Sequence, residues 1–264
     1  MPNILVTNDD GVNASGIQAL AAALDAIGAV TVIAPERNWS AAGHPKTLHK
    51  PLRMGQVTWP DGRVAFACSG APSDCVALGL LGAADVTFDL VVSGINSAYN
   101  LGTDVIYSGT VAGAMESIIN GVPALAISLG GEESGAASRD VAETTAAVIA
   151  AEIAGEVLVK GLPAQTLLNI NLPRLSRAEL RGVLSTRLGR RVYRDVLDKR
   201  VDPWGRLYYW FGGEVPTGIA EDGSDIGAVE NGYVSVTPLG IDLTSYATLA
   251  RLEGWHFPVV GSTR

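Results

Sequence analysis

Asn3-Ile4-Leu5-Val6-Thr7-Asn8-Asp9-Asp10-Gly11 is the stretch whose reading decides the fold. Ile4-Leu5-Val6 is a short apolar run rich in branched residues, the kind buried on both faces inside a parallel sheet. It ends in two adjacent carboxylates. Side chains alternate along a strand, but Asp10-Gly11 marks a turn, so the chain can leave strand geometry and let Asp9 and Asp10 converge on one ion. Two close, unpaired carboxylates repel, and a hard cation holds both ionised. The plainer reading of the pair is a solvated Asp-Gly turn.

Outward from this stretch, apolar strand-like runs alternate with helix-like segments from residue 3 to about 172, the signature of a doubly wound, mostly parallel, Rossmann-like α/β sheet. The pattern predicts strands at 3–8, 29–34, 64–68, 89–93, 124–129 and 166–171. Crossover helices are expected from Gly16 to Ile27, Ser73 to Leu81, Ser108 to Asn120 and Arg139 to Ile153. Right-handed crossovers then bring Asp9, Asp10, the Ser40 loop, Ser69-Gly70 and Ser93 to Asn96 to the edge where open α/β sheets bind ligands.

After about residue 173 the pattern changes. A strand at Gly182 to Thr186 precedes a charged stretch, Pro203-Trp204-Gly205 and Leu207-Tyr208-Tyr209-Trp210-Phe211, which reads as a C-terminal β-hairpin forming a swapped or docking arm. Its aromatics suit either a small local core or a surface that packs on another subunit. A short helix near Ser224 to Glu230, a strand at 233–237 and a tail with Trp255, His256 and Phe257 follow. The tail is expected to dock on the body or on a partner. The expected organisation is one α/β domain over 1–264, with its core at about 1–185 and the arm and C-terminal oligomerisation segment at about 186–264.

Composition narrows the chemistry. A net charge of −8 argues against a nucleic-acid duplex as partner, since such surfaces carry a basic stripe. No apolar run approaches the roughly 18 to 20 residues of a membrane span, and no signal-peptide pattern is evident, so the expected location is the cytoplasm. Cys68 and Cys75 read as buried thiols, and the scattered His44, His49 and His256 leave oxygen ligands, hence Mg²⁺ or Mn²⁺.

Ser108-Gly109-Thr110 opens an amphipathic segment, so its free N–H groups and hydroxyls offer an anion site at a helix N-terminus; the alternative is an ordinary Ser cap. Asn96 offers an amide oxygen that can join Asp9, Asp10 and Ser40 around one six-coordinate ion. The turn-rich loop between Asn96 and Asp104 has the look of a functional loop. Adjacent aspartates do not match the Asp-x-Asp of haloacid-dehalogenase-like phosphatases, and no Gly-x-Gly-x-x-Gly follows the first strand.

Asn8-Asp9-Asp10-Gly11-Val12, Ala34-Pro35-Glu36-Arg37-Asn38-Trp39-Ser40, Ser93-Gly94-Ile95-Asn96, Asn100-Leu101-Gly102 and Tyr107-Ser108-Gly109-Thr110-Val111 together resemble the SurE family, the stationary-phase survival nucleotidases. Gly70-Ala71-Pro72-Ser73-Asp74-Cys75-Val76, Leu168 to Pro173 and Gly232 to Leu239 resemble its later blocks in the same order. The resemblance implies a cytoplasmic metal-dependent nucleotidase hydrolysing nucleoside 5′- and 3′-monophosphates, sometimes also short polyphosphate, as a homo-oligomer, dimer or tetramer. It implies one divalent cation per subunit held by Asp9, Asp10, Ser40 and Asn96, and a phosphate pocket of Asn96, Ser108, Gly109 and Thr110, with Asp9, Asp10 and Ser108 catalytic. The match departs after Ser40, where the family's Ser-Gly-Ala-Ser-Asn-Ser-x-Thr stands against Ser40-Ala41-Ala42-Gly43-His44-Pro45-Lys46-Thr47. His44 is a candidate proton donor to the leaving oxygen, against the reading of a solvated loop histidine. The non-enzymatic alternative is a stress protein that senses nucleotides without turnover.

Overall fold

The structure is a computed structural model that describes residues 1–131, 139–214 and 216–255. The first half of the chain lays down β1 (Asn3–Thr7), α1 (Ser15–Leu24), β2 (Ala29–Pro35), β3 (Met54–Thr58), β4 (Val64–Cys68), α2 (Pro72–Leu78), β5 (Leu90–Asn96) and α3 (Gly109–Ile119). There follow β6 (Ala124–Gly130), α4 (Arg139–Lys160), β7 (Thr166–Pro173), β8 (Val183–Ser185) and β9 (Arg190–Val192). The remainder gives β10 (Asp195–Val201), β11 (Leu207–Gly213), β12 (Thr217–Ile219), α5 (Asp225–Glu230), β13 (Val234–Gly240) and α6 (Tyr246–Leu252).

The central sheet has nine strands in the order β3-β4-β2-β1-β5-β6-β7-β13-β8. From β4 through β7 all neighbours are parallel, while β3 and β13 run antiparallel to β4 and β7. The doubly wound α/β expectation therefore holds. Alternation along β1 explains the two layers. Ile4 and Val6 face one apolar cluster with α1 and α4, and Leu5 faces the other with α2 and α3. Both faces are covered, which is why the strand carries branched residues without polar alternation. The chain leaves β1 for β2 on one side and reaches β5 on the other, so a topological switch point lies at the C-terminal end of β1, where Asp9 and Asp10 stand.

Among the differences from the sequence pattern, three have a clear physical reason. β3 carries no apolar run because it is a half-exposed edge strand that turns back through Asp61-Gly62 onto β4. β5 extends past Ser93 to Asn96, because Gly94 at φ +142° lets the strand continue through an irregularity in its pairing with β6. A Cβ on Gly94 would meet the Ile127 carbonyl oxygen at 2.5 Å, so only glycine fits here. α6 buries no residue and so leaves no apolar stripe to read.

The chain returns to the sheet after residue 186, with β13 pairing between β7 and β8 and α5 packed near it. The hairpin is formed by β10 and β11 in register from Asp195↔Gly213 to Val201↔Leu207. Its aromatics make no local core: Trp204, Tyr209, Trp210 and Phe211 are all exposed, Phe211 by 93%. Cys68 and Cys75 are buried free thiols. Of the tail, Trp255 is exposed, while His256 and Phe257 lie outside the described residues. Among the described residues no helix is long and apolar enough to cross a membrane.

Candidate active site at the switch point

The site begins with a turn. The Asn8 side chain accepts from the Gly11 N–H at 3.1 Å and donates to the Gly11 carbonyl at 3.0 Å, with Gly11 at φ +105°. This ring stops β1 and fixes Asp9 and Asp10 beyond it. Asp9 is only 3% exposed. The Thr110 hydroxyl donates to its Oδ1 at 2.6 Å, and the Thr110 backbone N–H also favours its charged form. Burial nevertheless pushes the Asp9 carboxyl above its ordinary value, and the charge of Asp10 pushes it further. Asp10 reaches the opposite wall, where Asn38 Nδ2 donates to Oδ1 at 3.3 Å and the Ser97 N–H to Oδ2 at 3.2 Å.

The structure brings the other expected residues to the same crevice. Trp39, beside Ser40, donates its N–H to the Asp9 carbonyl at 2.8 Å, so the loop after β2 crosses directly over the acidic pair. Asn96 ends β5 and donates Nδ2 to the Ala98 carbonyl at 2.8 Å. That bond fixes the amide orientation and leaves its oxygen, the atom a hard cation takes, without a partner among the described residues.

The helix terminus is differently employed than its sequence suggests. Ser108 caps α3, accepting from the Val111 N–H at 3.0 Å, and the Thr110 N–H and hydroxyl are directed to Asp9. Of the first-turn N–H groups, that of Gly109 has no partner among the described residues and can take an anion, together with the Ser108 hydroxyl proton. Gly109 itself serves close packing: a Cβ there would lie 2.8 Å from Asp9 Cβ and 3.0 Å from Asp9 Oδ2. His44 Nε2 lies 3.0 Å from Glu116 Oε2, so this nitrogen is engaged on α3.

A divalent cation fits this donor set. Among the described residues no group of three His, Cys, Asp or Glu side chains forms a metal cluster, so an ion here depends on two carboxylates supplemented by neutral oxygens. Hard-cation coordination accepts that mixture. A cation there would offset the like charge of Asp10 beside buried Asp9. Asn38, Ser97 and the Asp9-facing role of Thr110 were not assigned from sequence. The turn itself is legible in Asp10-Gly11; the Asn8 side chain that closes it onto Gly11, three residues on, is not.

Known proteins are similar to this chain over nearly its whole length. The model of the family described as survival protein SurE matches residues 4–195. A protein of Chloroflexus aggregans named 5′-nucleotidase SurE is 50% identical over 254 residues, covering 96% of this chain and 99% of its own. A protein of the same name from Moorella thermoacetica is 52% identical, covering 96% and 95%. The crystal structure of the Sure protein from Aquifex aeolicus superposes with a TM-score of 0.79 at 40% identity, covering 96% of this chain and 98% of that one. A family match spanning more than half the sequence, with relatives aligned nearly end to end, leaves one conclusion: this chain belongs to the SurE family.

Proposed function

We propose that the chain is a metal-dependent 5′-nucleotidase that hydrolyses the phosphomonoester of nucleoside 5′-monophosphates, and of the 3′ esters, to nucleoside and phosphate. The proposal includes short polyphosphate as a further substrate. The observation that carries it is the buried Asp9 carboxylate, beside Asp10 and facing the N-terminus of α3, with the Asn96 amide oxygen unpartnered among the described residues at the same crevice. Asp9, Asp10, Asn96 and Ser40 would hold one Mg²⁺ or Mn²⁺ ion per subunit. Bound there, the ion supplies neutralisation of charge on the phosphoryl oxygens.

The protein's own groups do the rest. Thr110 holds Asp9 in one orientation, and Asn38 with Ser97 holds Asp10. The Gly109 N–H, the Ser108 hydroxyl and the positive end of α3 take phosphate oxygens, and their fixed dipoles favour the charge that develops as the ester bond breaks. Water is the attacking group, so acid quenching during turnover yields no aspartyl-phosphate. The exposed aromatic arm serves assembly into a homo-oligomer, with residues 1–264 acting as one unit. A cytoplasmic location suits a substrate drawn from nucleoside monophosphates.

Phosphate release from a panel of nucleoside monophosphates, with Mg²⁺, Mn²⁺ or chelator and with Asp9→Asn and Asp10→Asn, tests the reading. Turnover that requires the ion and both carboxylates is expected; binding without turnover, or turnover untouched by chelator, overturns it.

A further inference from the structure

Glu116 stands on α3 seven residues after Gly109, about 10 Å along the helix axis. Its side chain is 4% exposed, yet its two charged or titratable partners come from the loop that follows Ser40. Oε2 lies 3.0 Å from His44 Nε2, and Oε1 lies 3.0 Å from Lys46 Nζ and 3.2 Å from Asn120 Nδ2. Further fastenings lie alongside. Asp74 accepts from the Thr47 N–H at 2.9 Å and its hydroxyl at 2.7 Å, Ser73 donates to the Pro45 carbonyl, and the Gly43 N–H donates to the Tyr107 carbonyl at 2.9 Å.

A carboxylate buried this deeply is costly unless paired, and an apolar side chain at the same helix position would pack more cheaply. The charge is therefore best explained by what it holds. On one side of Ser40, Asn38 and Trp39 are bonded to Asp10 and Asp9. On the other side, Gly43 to Thr47 are bonded to α2, α3 and Tyr107. Ser40 is exposed between these two anchorages.

We propose that Glu116, acting through His44 and Lys46, is the positioning residue that holds the Ser40 loop over the Asp9 and Asp10 pair. One rigid helix then sets both halves of the site, the phosphate end with Gly109 and the loop that completes the ion site with Glu116. The inference rests on the ion reading above. Glu116 touches neither substrate nor ion; freeing the loop withdraws Ser40 and leaves the carboxylates in place.

Mn²⁺ binding followed by electron paramagnetic resonance, kinetics on a nucleoside monophosphate and melting in chelator, on the full chain, test it. Glu116→Gln keeps the shape and the Asn120 contact but not the charge; His44→Asn with Lys46→Met cuts the same link from the more exposed loop side. Both are expected to weaken Mn²⁺ binding about tenfold or more, as loss of an outer partner of a metal ligand does. KM rises with it, while kcat at saturating Mn²⁺ stays within about threefold of wild type. Wild-type Mn²⁺ affinity and KM in both variants, with any loss confined to melting temperature, overturns the proposal; should Glu116→Gln fail to fold, the loop double variant decides alone. Absence of Mn²⁺ binding by the wild type removes the ion reading and this inference together, whereas wild-type binding with unchanged variants removes this inference only.

Discussion

Replacing Asp9 by Asn separates what the carboxylate does for the fold from what it does for the site. In the metal-free protein Asp9 is nearly enclosed, and burial and Asp10 both oppose its charge. Asn keeps an acceptor for the Thr110 hydroxyl, so the substitution forfeits the charge assistance of that 2.6 Å bond, about 1 kcal/mol, and the weaker assistance of the neighbouring backbone N–H groups. Against this, removing a desolvated charge relieves several kcal/mol before relaxation. The net expectation in chelator is a gain of about 1–2 kcal/mol, or roughly 2–5 °C in Tm for a chain of this size. With Mn²⁺ at about 100 times its Kd, the wild type gains about 2.7 kcal/mol by mass action, and its Tm rises by roughly 5–10 °C. The variant lacks the ligand and does not follow. The order of stability therefore inverts on adding metal, while the variant's kcat/KM falls by about 10²-fold or more. Thermal scans in chelator and in Mn²⁺ read this directly. A variant several degrees less stable than wild type in chelator, or one that gains equally from Mn²⁺, refutes the reasoning.

Four further outcomes are expected. Gly109→Ala, which helix propensity alone would favour by about 1 kcal/mol, drives its Cβ into Asp9; kcat/KM is expected to fall about 10²-fold while circular dichroism stays native. The metal-free protein should lose stability as pH rises through the raised folded pKa of Asp9, since the native state binds that proton more tightly than the unfolded chain; the contribution is fully present below the ordinary 3.8, and Asp9→Asn should flatten that part of the Tm profile. Asp225→Ala leaves the buried N–H groups of Gly102 and Gly189 unpaired and should cost about 2–5 kcal/mol in denaturant titration. Replacing Trp210 and Phe211 together by Ser should lower the mass in solution without changing the circular dichroism, because both side chains are exposed on the arm.

The fold was legible where burial writes a pattern. β1, β2, β5, β6 and β7 are enclosed along most of their lengths by helices, and branched apolar runs mark them in the sequence. β3 and α6 carry no such mark, because one is a half-exposed edge and the other buries nothing. Within the site, Asp9, Asp10, Asn96 and the Ser40 loop could be located because strand ends converge on one edge. The work of Thr110 could not. A hydroxyl in a helix's first turn is the same letter whether it faces a phosphate or a carboxylate 101 residues away. The same holds for Asn169 and Asn171, legible as a motif, whose side chains prove to hold the Asn100 carbonyl and, from Asn171, its N–H as well.

Anomalous diffraction from crystals soaked in Mn²⁺ tests the central claim most directly. The account predicts one strong peak per subunit lying between the Asp9 and Asp10 carboxylates and within bonding reach of the Asn96 amide oxygen. Crystals that bind Mn²⁺ elsewhere, or leave that position without a peak at saturating metal, would contradict it.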